Sequence, residues 1–391
     1  MESRVPDIIL ENIRNKYKRL ICGVNSGTSA DSTDIVLVKA NNFGENLSFE
    51  FVSFRSFPHP QPLRRQILSL LYPAKRSIRA VVLASYNITE FTFKSLSSFL
   101  KTLNMNFKDI DLIGFHGQTV YHQANQRLTF QLGEGDILAQ KTGITVVWGF
   151  RQRDIGAGGM GAPLIPYLDL LLFKNYPGLV IQNIGGISNL TYIPTSGRKE
   201  DVLAFDNGPG NTLIDLAIER LFGVIEGDRN GRYSKKGVVS RALLEYMLEH
   251  PYLDKKPPKT TGREEFGKVF LEKIIKKSLN LQLSSYDLIR TLVEFTTCSI
   301  ADSYRRFLPE VTMIAGSGGG FYNQTLVSSL KEKIHPLKLI TTDELGVPAK
   351  ARESLLFAVL ANDLIAGIPT SIPQATGAKM PVPLGRISLG F

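Results

Sequence analysis

One pattern restricts the fold of this chain more than any other, and it occurs twice. Residues 19–24 (RLICGV) are mostly apolar, residues 25–33 are crowded with Gly, Ser, Thr, Asn and Asp, and an apolar run resumes at 34–40. Residues 178–184 (GLVIQNI), Gly185-Gly186 and 188–193 (SNLTYI) repeat the arrangement. Short apolar runs bounded by such clusters read as strands, and a tight turn between two of them closes an antiparallel hairpin. A third strand-like run follows each hairpin, at 48–54 and 202–206. A chain that opens strand–turn–strand does not begin with a dinucleotide-binding unit, which places a helix between its first two strands. Helical periodicity at 62–72, 77–102, 264–279, 284–307 and 350–365, with further strands at 109–115 and 311–315, gives an α/β class. The two halves imply a structural duplication, although no repeat of 20–50 residues is visible.

Composition narrows the class without naming a function. With 43% hydrophobic and 21% charged residues, the 391-residue chain is neither disordered, collagenous nor coiled-coil. The formal charge of +10 favours anionic ligands but comes with no aromatic/basic recognition motif, so no nucleic-acid partner is expected. Two cysteines, Cys22 and Cys298, make no disulfide framework, and no CxxC or Cys/His cluster suggests zinc. The first twenty residues are too charged for a signal peptide, and no run of 18 apolar residues occurs. A cytoplasmic protein without a membrane segment is the expectation.

Four turns carry residue types suited to phosphate and proton chemistry. In 25–34 (NSGTSADSTD), Ser26, Gly27, Thr28 and Ser29 let backbone amides approach phosphate oxygens, and Asp31 is a carboxylate able to hold Mg²⁺, usually through water. The same stretch also reads as a plain polar turn. In 183–189 (NIGGISN), Gly185 and Gly186 form a second tight turn. Two such turns, one per half, fit a nucleotide clamped between lobes. Asp206 stands at a strand end before Gly208-Pro209-Gly210-Asn211, placed to accept a proton from a hydroxyl or a water. The alternative there is an ordinary helix start capped by Asn211. Beyond 311–315, Gly318, Gly319 and Gly320 lead to Asn323 and allow backbone to lie against adenine or its ribose.

Three further segments admit two readings each. His116, in HGQT, is a ligand or a satisfied structural histidine. Residues 151–163 (RQRDIGAGGMGAP) offer Arg151, Arg153 and Asp154 to a polyol, or form an ion-paired turn. Glu353 is a cleft carboxylate or a solvated helix residue. The chain lacks GxxxxGKS/T and the protein-kinase motif set, which excludes those phosphotransferase classes.

In this order the motifs resemble the anhydro-N-acetylmuramic acid kinase family, from about residue 20 to the C-terminus. The marks are NSGTSADSTD (25–34), GFHGQTVYH (114–122), TGITVVWGFRQRDIGAGGMGAPL (142–164), NIGGISNL (183–190), FDNGPGN (205–211), PPKTTGREEF (257–266), GGGFYN (318–323) and ELGVPAKARESLLFA (344–358). Levoglucosan kinase, of the same group, is also similar, and Asn25 and ELGVPAKARE stand closer to it. The resemblance implies an actin/hexokinase-like (ASKHA) fold of two lobes with ATP and Mg²⁺ in an interdomain cleft. It implies an enzyme that adds water across a 1,6-anhydro bond and phosphorylates the freed O6. Asp206 would be the catalytic base. Ser26, Gly27, Thr28, Ser29, Gly185 and Gly186 would face the phosphates, and Gly318, Gly319 and Asn323 the nucleoside. His116, Gln118, Arg151, Asn183 and Asn211 would bind the sugar, and Asp31 and Glu353 would serve the metal.

The expected lobes are 18–140 and 141–365, with 366–391 returning to the first; the sequence leaves a homodimer open. Three positions depart from the family pattern: Ser32 and Asn207 replace Gly and Thr, and Gly149 replaces Asp. A Gly that needs positive φ at position 32 would make Ser32 a strained residue. A nucleotide- or sugar-binding homologue with impaired catalysis is the alternative reading.

Overall fold

The computed structural model describes residues 5–27, 29–71, 77–346 and 348–391. Thr28 of the first turn, Tyr72 at the end of the first expected helix and Val347 of the late motif lie outside them. By contacts the chain divides into Met1–Leu171 with Lys350–Phe391, and Leu172–Ala349.

In the first unit, β1 (Arg19–Ser26) pairs antiparallel with β2 (Ser32–Asn41), which pairs antiparallel with β3 (Ser48–Pro58). On the other side β1 pairs in parallel with β4 (Leu112–Gln123), and β4 in parallel with β6 (Val146–Trp148). β5 (Leu128–Leu132) folds back on β4, and β12 (Arg386–Ser388) closes the order β12-β6-β4-β1-β2-β3. The central strand β1 is buried along nearly its whole length, whereas no residue of the edge strand β3 is buried. β4 can return parallel to β1 only through a crossover, and the long helix Ile78–Thr102, with Ser77 as its N-cap, lies in that connection, between β3 and β4 in the chain. The core beneath it joins Cys22, Val24, Ile35, Leu37, Leu96, Phe99, Ile113 and Phe115.

The second unit repeats the scheme. β7 (Leu179–Ile184), β8 (Ile187–Tyr192) and β9 (Leu203–Pro209) form an antiparallel meander. β10 (Met313–Ser317) and β11 (Lys338–Thr341) continue from β7 in parallel, giving the order β11-β10-β7-β8-β9. Helix Ser285–Phe307, closed at its start by a Ser284/Asp287 capping box, covers this sheet and contributes Ile289, Leu292, Phe295 and Ile300 to a core with Val180, Ile184, Phe205 and Ile314. The duplication read from the two hairpins is thus present as one sheet order used twice.

The division between units falls at 171 and 350, away from the expected 140 and 365. Residues 141–171 stay with the first unit because β6 is hydrogen-bonded between β4 and β12. Residues 350–365 stay there because helix Arg352–Ile365 lies directly on β1 and β4. A side chain on Gly23 would start 2.0 Å from the Ser354 carbonyl oxygen, and one on Gly114 2.0 Å from that of Phe357. Only glycine permits so close an approach of helix to sheet. The segment 366–391 joins the first unit.

Candidate active site

In the second unit, Asp206 lies on β9 opposite Asn189, where the β8–β9 register shifts. It is held at four points, one from the turn Pro251–Asp254 and three from the segment that follows it. Its N–H donates to the Lys259 carbonyl at 3.1 Å and its carbonyl accepts from the Tyr252 hydroxyl at 2.8 Å. Its Oδ2 accepts from the Thr260 hydroxyl and from the Thr261 N–H, each at 2.8 Å. Among the described residues nothing donates to Oδ1. Burial pushes the carboxyl up to about 6; the Thr261 and Thr260 bonds and Lys259 oppose that rise, and Glu264 adds to it. Asn207 turns the other way, into a buried network with Gln182, Ser188 and Ser303. The replacement of Thr by Asn at this position therefore falls in the core.

The turn Gly185-Gly186 docks on the start of helix Thr212–Phe222. The Gly185 carbonyl accepts from the Asn211 N–H at 2.8 Å, and that of Gly186 from the N–H groups of Gly210 and Thr212. Asn211 makes no side-chain cap, contrary to one sequence reading; its amide donates weakly to the Ile184 carbonyl at 3.4 Å. Asn183 pairs with Asn189 in β8 and with Ser317 in β10. Near them a cavity of about 310 Å³ is lined by Asn211, Asp215, Asp228, Gly319, Tyr322 and Asn323, among others. Asn323 caps helix Gln324–Ile334 through Leu326 N–H and donates to buried Asp228 at 3.0 Å. Burial, reinforced by Asp228, pushes Asp215 up to about 6. Gly318 opens the turn leading into this cavity.

In the first unit, the turn between β1 and β2 is braced from β4. Gln118 donates to the Gly27 carbonyl at 3.0 Å and accepts from the Ser26 hydroxyl at 2.6 Å. Its amide thus supports the turn. Ser29 is exposed, and the space around the α-carbon of Gly27 is open. The strain expected at Ser32 is absent: the left-handed residue of this turn is Ala30, at φ 54°, while Ser32 is extended and donates to Asp34 at 3.0 Å.

His116, buried and stacked on Phe357 at 4.3 Å, accepts from Arg151 Nε through Nε2 at 3.2 Å. Its proton must then sit on Nδ1, which faces the Gly117 carbonyl at 3.1 Å. Burial, then the nearby Arg151 charge, holds His116 well below its ordinary value, so the ring is neutral. Burial also lowers Arg151, to about 10, against the pull of Glu353 and Asp154. Asp154 is buried and accepts from Thr376 and Gly161, so it closes its own loop. Gly149 has φ +62°, and a β-carbon there would meet Arg386 Nε at 3.0 Å.

Glu353 is exposed at the start of its helix, and Asn25 donates to its Oε2 at 2.6 Å. Asp31 is paired with Arg64 at 2.6 Å. Among the described residues no three His, Cys, Asp or Glu side chains form a metal-binding group. Mg²⁺ keeps several waters and takes one or two carboxylates besides phosphate oxygens. Glu353, steadied by Asn25, fits that role; Asp31 fits it less well because Arg64 already neutralises it.

Sequence reasoning missed the segment that holds Asp206. Lys259, Thr260 and Thr261 stand in a motif quoted for the resemblance, but the Pro-rich stretch around them has no periodicity that points to Asp206.

The sheet order used twice is the duplicated α/β arrangement of the expected actin/hexokinase-like fold, and Asp206 stands, half-buried, within the third strand of its second copy. A family model described as anhydro-N-acetylmuramic acid kinase matches residues 19–390. The chain belongs to the anhydro-N-acetylmuramic acid kinase family. The enzyme of that name from Caldanaerobacter subterraneus subsp. tengcongensis is 39% identical over 97% of this chain and 99% of its own length. The one from Bacillus cereus strain G9842 is 36% identical, over 94% and 98%. A similar solved structure is component A of the Acidaminococcus fermentans (R)-2-hydroxyglutaryl-CoA dehydratase, with TM-score 0.43 and 14% identity over 89% of this chain and 99% of that one. No helix among the described residues is long and apolar enough to cross a membrane.

Proposed function

We propose that this anhydro-sugar kinase uses ATP to convert 1,6-anhydro-N-acetylmuramic acid and water to the 6-phosphate and ADP, with Asp206 as the base. The observation that carries the reading is the asymmetry of Asp206. One oxygen is doubly hydrogen-bonded, the other accepts from nothing among the described residues, and burial sets the carboxyl near 6, close to the range where a general base is most useful. Asp206 takes a proton from water as the water oxygen bonds to the anomeric carbon. The bond from that carbon to O6 breaks and its electron pair stays on O6. O6 then bonds to the γ-phosphorus and ADP leaves with the other electron pair; Asp206 returns its proton to solvent. Positioning and charge neutralisation do most of the work in such a transfer.

Gly319, Tyr322 and Asn323 line the cavity we assign to the nucleoside. Arg151, fixed by His116 and by the Gly161 carbonyl, presents a cation to the sugar. Mg²⁺ bound through Glu353 would neutralise charge on the transferring phosphate. The relatives' name supports the muramic acid derivative over levoglucosan, and the test includes both. Each sugar is incubated with ATP in ¹⁸O-labelled water, and products are read by mass spectrometry. The expected product is the muramic acid 6-phosphate with label on the anomeric oxygen. Label-free product sinks the hydrolytic step, and turnover of levoglucosan alone sinks the substrate assignment.

A further inference from the structure

The segment 257–261 sits unusually for a loop. Lys259 is buried, and among the described residues no carboxylate lies within ion-pair distance of its ammonium. The ammonium instead stands over three rings, 4.7 Å from the centroid of Phe307, 4.8 Å from Tyr252 and 5.8 Å from Phe205. It donates to the carbonyls of Leu253 at 3.3 Å and Tyr252 at 3.5 Å. A buried cation without a counter-ion is costly, and apolar side chains fill such a box at less expense, so bulk stability is a poor reason for a lysine here. Two of the box residues also bear on the base: Phe205 precedes Asp206 in β9, and the Tyr252 hydroxyl holds its carbonyl.

We propose that residues 257–261 are a positioning strap: Lys259 anchors it in the ring box, and Thr260 and Thr261 grip Oδ2 of Asp206, leaving Oδ1 to take the proton from water. The proposal rests on Asp206 being the base. A carboxylate gripped at neither oxygen turns about its Cβ–Cγ bond and offers either oxygen; two donors on Oδ2 fix its plane. The same donors favour the ionised form and so hold down a carboxyl that burial drives up. The charged groups that act on Asp206 are Glu264 and Lys259; those that act on Lys259 are Arg306, Asp302, Asp254 and Asp206. Lys259 is itself pushed down to about 8 by burial, so its charge is retained at neutral pH.

The test is the pH dependence of kcat in the full-length enzyme. Thr260 is exposed, so Thr260→Val removes the hydroxyl without disturbing a core. It should raise the acid limb by about one pH unit and lower kcat at pH 6 by about fivefold, leaving ADP affinity unchanged. Thr260→Ser should restore the limb, which a merely structural role for the side chain does not predict. Lys259→Met should lower kcat at every pH by about tenfold while KM for ATP and the melting temperature hold. A parental profile in Thr260→Val overturns the grip, and a parental kcat in Lys259→Met overturns the anchor. Asp206→Asn separates this failure from that of the underlying reading. An inactive Asp206→Asn beside a parental Thr260→Val sinks the strap alone, whereas an active Asp206→Asn sinks the base and the strap together.

Discussion

At the scale of single residues, the burial that suits Asp206 to the role of base proposed for it also makes it a burden on the fold. Its folded pKa of about 6 stands above the ordinary 3.8. The folded state therefore binds the proton more tightly than the unfolded state, and the benefit is complete below the ordinary value and lost as pH rises through about 6. Each unit is about 1.4 kcal/mol, so an upper bound near 3 kcal/mol of stability is forgone at pH 8. Asp206→Asn is expected to abolish turnover, keep ADP affinity, and unfold at higher denaturant than the parent at pH 8. That advantage should shrink toward nothing by pH 4. A difference independent of pH would mean that ionisation of Asp206 is not what burial opposes. Asp206 itself was legible because an acidic residue closing an apolar run before Gly-Pro-Gly stands out, although the strand runs on past it to Pro209. Its partners Thr260 and Thr261 were not, since they reach it from a Pro-rich stretch through tertiary contact with no periodicity to mark them. Ser32 shows the converse: its motif suggested strain, but the left-handed backbone falls on Ala30 two residues earlier.

At the scale of elements, the long strands and helices were readable because their apolar periodicity runs for several turns or pairs. β6 and β12, of three residues each, are too short to display a period. Yet these short strands decide where the units divide, because β6 ties residues 141–171 to the first sheet. Helix Arg352–Ile365 has the same weight. Every residue in it except Glu353 is buried, and it rests on the two glycines of β1 and β4. Gly114→Ala would thrust a methyl group at the Phe357 carbonyl, backbone against backbone, with no flexible side chain to yield. We expect about 3 kcal/mol of destabilisation, read as a lower urea midpoint at unchanged slope. Because Glu353 rides on this helix, its placement beside Asn25 should suffer too. An unchanged midpoint would mean that helix and sheet separate readily at this contact.

At the scale of the whole chain, the surplus of ten positive charges turns out to say little about function. The phosphate and sugar recognition proposed above rests on local groups such as Arg151, and much of the excess lies in loops such as 229–237 and 255–259. The connectivity says more. Leu172–Ala349 is continuous, while the first unit is assembled from both ends of the chain. The second unit contains its whole sheet, its covering helices and a core of its own. The first, without Lys350–Phe391, lacks β12 and the helix that covers Gly23 and Gly114. Its sheet would then expose a buried face that no other element among residues 5–171 fills. Expressed alone, residues 172–349 should therefore melt cooperatively. Residues 1–171 alone should bind a hydrophobic dye and show no cooperative transition, and adding a peptide of residues 350–391 should restore one. Cooperative melting of 1–171 without that peptide would show that the sheet and its other helix suffice, and that the returning helix is an addition to a finished core.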